Sequence, residues 1–221
     1  MTRPQAVLFD CDGVVVDSET PTFALFMEDL AAHGLSLTPE EFETGFVGLT
    51  VETIAERARA AGADLPPDWS ARFYDRMYAM LAAGVPLIPG VEGVLDRLDA
   101  AGVPYAMGSN GSMAKMRITL GQHGLMERFR AVISGQEIGR PKPAPDVYLR
   151  AAAVCGADPG ACVVIEDSAS GARAGLAAGA RVLGYAGHGT DTVTARQLTA
   201  LGVPLFHRME ELPGLLGIGA L

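Results

Sequence analysis

Side chains that could carry out chemistry follow four short apolar runs in this 221-residue sequence. In chain order they are Asp10 and Asp12, Ser109 and Asn110, Lys142, and Glu166 with Asp167. Carboxylates held close together repel one another unless a cation lies among them, and hard oxygen ligands are those that Mg²⁺ prefers. A phosphate group would add negative charge, which a lysine and small polar donors could balance. The residue types therefore indicate Mg²⁺-dependent phosphoryl transfer. In such a reaction one carboxylate attacks phosphorus, and the carboxylate two positions further along the chain donates or accepts the proton.

Short apolar runs predict the strands that must position these side chains. The runs are Ala6–Phe9, Pro104–Met107, Ala131–Ile133, Cys162–Ile165, Arg181–Leu183 and the weaker Pro204–Phe206. Alanine-rich stretches between them, at about 91–101, 112–122, 144–154 and 168–178, predict helices. Strands that alternate with helices indicate an α/β, Rossmann-like fold built on a doubly wound parallel sheet. Because the functional crevice of such a sheet lies at the carboxyl ends of its strands, we expect the four groups to meet there.

One interval contains only helical patterns. Between residues 19 and 83, apolar residues recur at helical spacing, as Trp69, Phe73 and Met77 do. Pro86 marks the return to alternating strands and helices. We therefore predict a core domain of residues 1–16 and 87–221 with an inserted α-helical domain of residues 17–86.

The composition argues against several classes of protein. The net charge is −9 and no run is rich in lysine or arginine, so we expect no nucleic-acid partner. Three cysteines without a repeated spacing indicate neither a disulfide framework nor a zinc site. The sequence shows no signal peptide and no apolar stretch that approaches the length of a membrane span. We therefore expect a cytoplasmic protein without a membrane association, acting as a monomer.

Several conspicuous residues have ordinary structural explanations. Lys115 is predicted to be a surface residue of a helix. Gly171, Gly175 and Gly179 lie four residues apart, which indicates a helix packed closely on the sheet. Lys142 differs, because arginine replaces lysine almost everywhere in this chain, yet a lysine remains between two prolines. This pattern indicates a site that needs a compact ammonium rather than a guanidinium group.

The four groups of side chains together resemble the motifs of the haloacid dehalogenase (HAD) superfamily of phosphatases and phosphomutases. The motifs are Phe9–Ser18, Ser109–Gly111, Lys142–Pro143 and Glu166–Ser168, and their order and spacing match over nearly the whole chain. The helical insert resembles the cap domain that one branch of the family carries after its first strand. Within the family, the sequence resembles sugar-phosphate and 6-phosphogluconate phosphatases and β-phosphoglucomutase.

The resemblance implies a role for each residue. Asp10 would be the nucleophile that forms a phosphoaspartate, and Asp12 the general acid and base. Ser109, Asn110 and Lys142 would hold the phosphoryl group. The Mg²⁺ ligands would be Asp10, the backbone carbonyl of Asp12, Asp167, and Glu166 through a bound water. In the cap, Glu19, Gly48 and Thr50 would determine substrate specificity. The expected substrate is a small phosphorylated metabolite, either a sugar phosphate or a phosphorylated sugar acid.

Other functions fit the sequence less well. A phosphomutase would need basic cap residues for a second phosphate; the loop 46–52 has none, although Arg57, Arg72 or Arg76 could compensate. A phosphonate hydrolase of this family needs a cap lysine, and residues 17–86 contain none. A halide-releasing enzyme would leave Asp12 and Asp167 without a purpose. A signalling receiver domain is shorter and has no cap, and a non-enzymatic binding protein would not need every motif residue.

Overall fold

The computed structural model of the chain describes residues 3–46, 49–187, 189–190 and 192–218. The chain forms two compact units. The larger unit consists of Met1–Asp17 and Pro86–Leu221, and the smaller unit of Ser18–Val85. All of the predicted catalytic and metal-binding residues belong to the larger unit. None of the helices in the described ranges is both long and apolar enough to cross a membrane.

Helices make up the smaller unit, in agreement with the helical spacing of its apolar residues. They are α1 (Glu19–Ala32), α2 (Pro39–Phe46), α3 (Val51–Ala60) and α4 (Trp69–Ala83). The rings of Phe26 and Phe73 stack between α1 and α4 with their centroids 3.9 Å apart. The buried carboxylate of Asp29 accepts a hydrogen bond from Trp69 Nε1 and pairs with Arg76, so a polar contact also joins α1 to α4.

A parallel sheet forms the centre of the larger unit. Its strands are β1 (Ala6–Phe9), β2 (Tyr105–Ser109), β3 (Val132–Ser134), β4 (Cys162–Glu166), β5 (Arg181–Tyr185) and β6 (Leu205–Phe206). Within the described residues the strand order is β3-β2-β1-β4-β5-β6. The point at which the chain order reverses therefore lies between β1 and β4, and β1 pairs with β2 on one side and with β4 on the other. The predicted doubly wound parallel sheet is confirmed, and each of the six apolar runs forms one of its strands.

Helices cover both faces of the sheet. They are α5 (Val91–Ala101), α6 (Met113–Gly121), α7 (Asp146–Val154), α8 (Ala169–Ala177), α9 (Val193–Ala200) and α10 (Leu212–Leu215). Successive side chains of a strand point to opposite faces. In β1, Val7 and Phe9 accordingly enter the core cluster that includes residues of α5 and α6, whereas Ala6 and Leu8 enter the cluster that includes residues of α7 and α8. Both faces of β1 are thus buried, which explains its uninterrupted apolar sequence.

Candidate active site

The carboxyl edge of the sheet brings the predicted site residues together. Asp10 follows the last residue of β1, Ser109 ends β2 and Glu166 ends β4. Because β2 and β4 both pair with β1 in parallel register, these three residues lie side by side. Lys142 reaches the same place from the segment between β3 and α7. The four sequence motifs therefore converge at the strand ends, as the topology of a doubly wound sheet requires.

Lys142 bridges two carboxylates at the centre of the site. Its Nζ atom donates hydrogen bonds of 2.6 Å to Asp10 Oδ1 and to Glu166 Oε1. The Lys142 side chain is 4% exposed and the Glu166 side chain is fully buried. Burial acts to lower the pKa of Lys142, but its two carboxylate partners outweigh burial and raise that pKa above its usual value. Lys142 is therefore a permanent cation beside Asp10.

Among the described carboxyl groups, Asp10 has the pKa that its surroundings shift most clearly. Burial raises its pKa, Lys142 opposes that rise, and the negative charges of Glu166 and Asp12 add to it, so that the pKa moves from 3.8 to about 7. A cation bound beside Asp10 would favour its charged form again, because it would offset the repulsion from the neighbouring acids.

Glu166 anchors the surrounding structure through both of its oxygens. Oε1 accepts from Lys142 and from the Tyr148 hydroxyl, and Oε2 accepts from the backbone N–H and hydroxyl of Ser168 at 3.1 and 2.9 Å. Four donors match the acceptor capacity of a carboxylate. This arrangement gives Glu166 the role of holding Lys142 and the start of α8, and its contact with a metal through water stays a prediction.

A cluster of acids fits a hard divalent cation. One oxygen from each of Asp10, Glu166 and Asp167 lies within 4.8 Å of the others. The site contains four acids and two ammonium groups, namely Asp10, Asp12, Glu166 and Asp167 with Lys115 and Lys142. When all of these groups are ionised, the net charge of the site is −2, which one divalent cation would neutralise. The ligand atoms are all oxygens, the donor type that Mg²⁺ prefers.

Gly13 lets the first loop approach Asp167 closely. Its φ angle is +74°, a left-handed conformation that glycine adopts without strain. A Cβ atom added at this position would lie 2.1 Å from Asp167 Oδ2, so no larger residue fits unless the carboxylate moves. The glycine of the first motif is therefore required both by backbone conformation and by the proximity of the acidic cluster.

Lys115 contacts the second acid of the first motif. Its Nζ atom lies 2.8 Å from Asp12 Oδ1, and only 18% of the Lys115 side chain is exposed. The prediction that Lys115 is an ordinary surface residue is therefore wrong. Helical side chains lean toward the N-terminus of their helix, and the first turn of α6 follows the end of β2, so a long side chain there can reach back to the sheet edge.

Asn110 joins the second motif to the third. Its Oδ1 accepts a 2.7 Å hydrogen bond from the backbone N–H of Lys142, and its Nδ2 donates to the Lys142 carbonyl at 3.2 Å. The amide side chain that sequence reasoning places at the phosphate is thus engaged with the main chain of Lys142. Next to it, Ser109 Oγ accepts a 2.9 Å hydrogen bond from the backbone N–H of Gly111, which shapes a tight turn.

Tyr148 is a site residue that the sequence does not reveal. Its hydroxyl donates a 2.6 Å hydrogen bond to Glu166 Oε1, and Lys142 Nζ lies 4.8 Å from its ring centroid. Burial, with the charges of Glu166 and Asp10 adding to it, raises the pKa of Tyr148 well above its usual value, so the phenol remains a donor. A tyrosine at helical spacing is typical of a packed core, so its position in α7 carries no signal of this role.

Comparison with known families identifies the chain. The sequence model described as a haloacid dehalogenase-like hydrolase matches residues 4–179. The chain belongs to the haloacid dehalogenase-like hydrolases. The resemblance seen in the four motifs is thereby confirmed.

Phosphatases are among the relatives of this hydrolase. Hexitol phosphatase A of Escherichia coli is 32% identical to it over 183 residues, which cover 82% of each chain. The 6-phosphogluconate phosphatase of the same organism is 30% identical over 184 residues, again 82% of each chain. A HAD family hydrolase from Deinococcus radiodurans, solved with bound phosphate and sodium, superposes with a TM-score of 0.85 at 35% identity, covering 99% of this chain and 98% of that one. The hydrolase is a phosphatase of this family.

The specificity residues predicted in the smaller unit are described only in part. Glu19 is the first residue of α1. Thr50 caps α3, since its Oγ1 accepts a 3.2 Å hydrogen bond from the backbone N–H of Thr53. Gly48 lies outside the described residues. A role of these three residues in substrate specificity stays a prediction.

The helix α8 of the hydrolase passes so close to Glu166 that only glycine fits at position 171. A Cβ atom there would lie 1.6 Å from Glu166 Oε1. We expect Gly171→Ala to destabilise the protein by about 1–3 kcal/mol through overpacking. Phosphatase activity should fall as well, because Glu166 holds Lys142. Denaturant unfolding and the rate of phosphate release measure the two effects.

Gly93→Ala provides the matched control for this substitution. Gly93 lies on the exposed side of α5, and nothing is within 4 Å of the added Cβ. Alanine should stabilise that helix by up to about 1 kcal/mol. If Gly171→Ala unfolds at the same denaturant concentration as the wild type, the contact of α8 with Glu166 is not tight.

Proposed function

We propose that this hydrolase removes the phosphoryl group from a small phosphorylated metabolite through a phosphoaspartate on Asp10, with Mg²⁺ as cofactor. The observation that carries the proposal is the contact of 2.6 Å between Asp10 Oδ1 and Lys142 Nζ at the convergence of the four motifs. A carboxylate fixed by a buried cation at this edge, with further acids beside it, is suited to attack phosphorus. Bound Mg²⁺ would neutralise negative charge on the acids and on the phosphoryl oxygens.

The proposed hydrolysis has two steps, in which the residues of the larger unit have different roles. In the first, a carboxylate oxygen of Asp10 forms a bond to phosphorus while the ester oxygen leaves and takes a proton from Asp12. In the second, Asp12 accepts a proton from a water that attacks the same phosphorus, which releases phosphate and restores the Asp10 carboxylate. Throughout, Lys142, the Ser109 hydroxyl and the main chain of the Ser109–Gly111 turn would hold the phosphoryl oxygens.

The substrate proposed for this chain is a sugar phosphate or a phosphorylated sugar acid. The relatives named as hexitol phosphatase A and 6-phosphogluconate phosphatase support this class. The groups of the larger unit that contact a phosphoryl group cannot distinguish one alcohol from another, so discrimination must come from elsewhere. We assign it to the helical domain of residues 17–86, with Glu19, Gly48 and Thr50 as candidates. An acidic chain without a disulfide framework supports a cytoplasmic enzyme, and we take it to act as a monomer.

The arginines that could serve a phosphomutase are engaged within the smaller unit. Arg57 donates to the carbonyl of Gly45, Arg72 pairs with Asp68 at 2.8 Å, and Arg76 pairs with Asp29. A second phosphate would have to compete with these contacts for the three guanidinium groups. The phosphatase proposal is therefore favoured over the mutase alternative.

Removal of divalent metal is the direct test of the proposed chemistry. In excess EDTA we expect turnover of every phosphate ester to fall below about one hundredth of its initial rate, because Asp10 then loses the cation that favours its charged form. Added Mg²⁺ should restore the rate. The assay is phosphate release from hexitol phosphates, 6-phosphogluconate and p-nitrophenyl phosphate, with EDTA presaturated by Mg²⁺ as the control. Unchanged turnover in free EDTA would exclude the metal-dependent mechanism.

A further inference from the structure

We propose that Lys115 is a positioning residue for proton transfer, holding the Asp12 carboxylate where it meets the leaving oxygen of the substrate. The inference rests on the proposed function, because it takes Asp12 to be the general acid and base. It assigns a task to the one lysine that the four sequence motifs leave out.

The contact between Lys115 and Asp12 is shielded on both sides. Their charged atoms are 2.8 Å apart, and the two side chains are 18% and 17% exposed. An ion pair with so little exposure is screened less than a surface pair and constrains its members more. The Asp12 side chain has two rotatable bonds, so a fixed cation beside Oδ1 restricts where its oxygens can lie.

The backbone of Lys115, from which its side chain extends, is fixed by the local structure of α6. Ser112 caps this helix, and its hydroxyl accepts a 3.2 Å hydrogen bond from the backbone N–H of Lys115. One turn further on, Thr119 Oγ1 donates to the Lys115 carbonyl at 3.2 Å. The backbone at the capped first turn of a helix has a fixed conformation, so the direction in which the Lys115 side chain leaves it is defined. A lysine in a loop would lack this constraint.

Lys115 also lies beside the turn that would hold the phosphate. A Cβ atom added at Gly111 would be 3.2 Å from Ser109 Oγ, 3.5 Å from Asp12 Oδ2 and 3.9 Å from Lys115 Cδ. The hydroxyl, the acid and the lysine stem therefore line one small space. In this arrangement each lysine of the chain holds one acid of the first motif: Lys142 holds Asp10, and Lys115 holds Asp12.

The chemical consequence depends on the leaving group. An alkoxide is a poor leaving group that needs a proton as the ester bond breaks, whereas p-nitrophenolate leaves without one. Loss of the correct Asp12 geometry should therefore slow phosphoryl transfer to Asp10 from alkyl esters and spare transfer from aryl esters. Hydrolysis of the phosphoaspartate, which also uses Asp12, is the same for both classes, so the transfer step is compared through kcat/KM. A general defect in folding or in phosphate binding would slow both classes equally.

The test compares Lys115→Met with Arg117→Met. Arg117 is an exposed residue of the same helix, so its substitution removes the same charge away from Asp12. We expect Lys115→Met to lower kcat/KM for the most reactive alkyl phosphate of the panel by about 10- to 100-fold, a part of the usual contribution of general acid catalysis. For p-nitrophenyl phosphate kcat/KM should change less than about threefold. Arg117→Met should leave both esters at wild-type rates.

Two further variants separate the possible outcomes. Asp12→Asn should also lower kcat/KM far more for the alkyl ester than for the aryl ester; if it lowers both values equally, the proposed role of Asp12 as general acid fails and the inference fails with it. If Asp12→Asn discriminates between the esters in kcat/KM but Lys115→Met lowers both values equally or neither, only the inference about Lys115 is overturned. Lys115→Arg keeps the charge and should recover part of the alkyl-ester kcat/KM that Lys115→Met loses. If the methionine variant is unfolded by circular dichroism, Lys115→Arg becomes the test: it should still lower the ratio of alkyl-ester to aryl-ester kcat/KM below that of the wild type, and an unchanged ratio would overturn the inference.

Discussion

Replacing Asp10 with asparagine should abolish turnover and leave the protein folded. An amide is not a nucleophile toward phosphorus, so we expect kcat to fall by at least about 10⁴-fold for every ester. Asparagine has almost the same volume, and its Oδ1 can still accept the hydrogen bond that Lys142 donates to Asp10. Phosphate release and circular dichroism check the two halves of this expectation. Asp75→Asn, which changes an exposed acid of α4, is the matched control.

The same variant should change how stability depends on pH. Because burial raises the pKa of Asp10 from 3.8 to about 7, the metal-free folded state keeps a proton that the unfolded chain loses between those values. The contribution of Asp10 to the free energy of unfolding is therefore present at low pH and falls as pH rises toward 7. The wild-type value minus that of Asp10→Asn should decrease across this window, and the decrease should shrink when Mg²⁺ saturates the site.

Two results would contradict these expectations, the first for the role of Asp10 as nucleophile and the second for its raised pKa. Activity of Asp10→Asn within about tenfold of the wild type corresponds to only about 1.4 kcal/mol of barrier, too little for the loss of a nucleophile. A difference in unfolding free energy that rises between pH 4 and pH 7 in metal-free buffer would contradict the raised pKa of Asp10.

Substitution of Lys142 should produce the second large effect, and arginine should not rescue it. Nζ of Lys142 lies 2.6 Å from two carboxylates in a pocket that leaves 4% of the side chain exposed. Methionine would leave buried acids without their cation, at a cost of about 3–5 kcal/mol in stability. Arginine keeps the charge, but its planar fork is larger than an ammonium. We expect both variants to lose at least about 10²-fold in kcat.

Arg140→Lys is the control for this pair of substitutions. Arg140 belongs to the same segment, is 65% exposed in its side chain and lies 3.4 Å from Asp146, so exchange of its cation should change neither rate nor stability. Steady-state kinetics and denaturant unfolding on the three variants give the answer. Normal rates for Lys142→Arg would show that the site does not require a compact ammonium, and that the scarcity of lysine has another origin.

Sequence patterns predict the parts of this structure that depend on short stretches of chain. A strand buried on both faces must be apolar throughout, which is why β1 and β4 can be located from Ala6–Phe9 and Cys162–Ile165. Once the sheet is known to be parallel, the residues that follow β1, β2 and β4 have to share one edge. The positions of Asp10, Ser109 and Glu166 follow from those two steps.

Contacts that depend on the orientation of helices are beyond such reasoning. Whether Lys115 faces water or Asp12 is decided by the direction in which α6 leaves the turn after β2, and nothing in its neighbours along the chain encodes that direction. Tyr148 has the spacing of a core residue and is one, yet its hydroxyl also meets Glu166. The amide of Asn110 binds the main chain of a residue 32 positions away, a distance over which periodicity carries no information.

Both lysines of this protein lie at one edge of the sheet, which limits where amine reagents can modify its side chains. Arginine does not undergo acylation or reductive alkylation under the conditions that modify lysine, so the side-chain amines open to such labels are those of Lys115 and Lys142. With 18% and 4% of their side chains exposed, the first is the more accessible of the two. Isotopic dimethylation would therefore reach Lys115 first and place a magnetic-resonance probe beside Asp12, whereas Lys142, buried and held as a cation by Asp10 and Glu166, would react much more slowly.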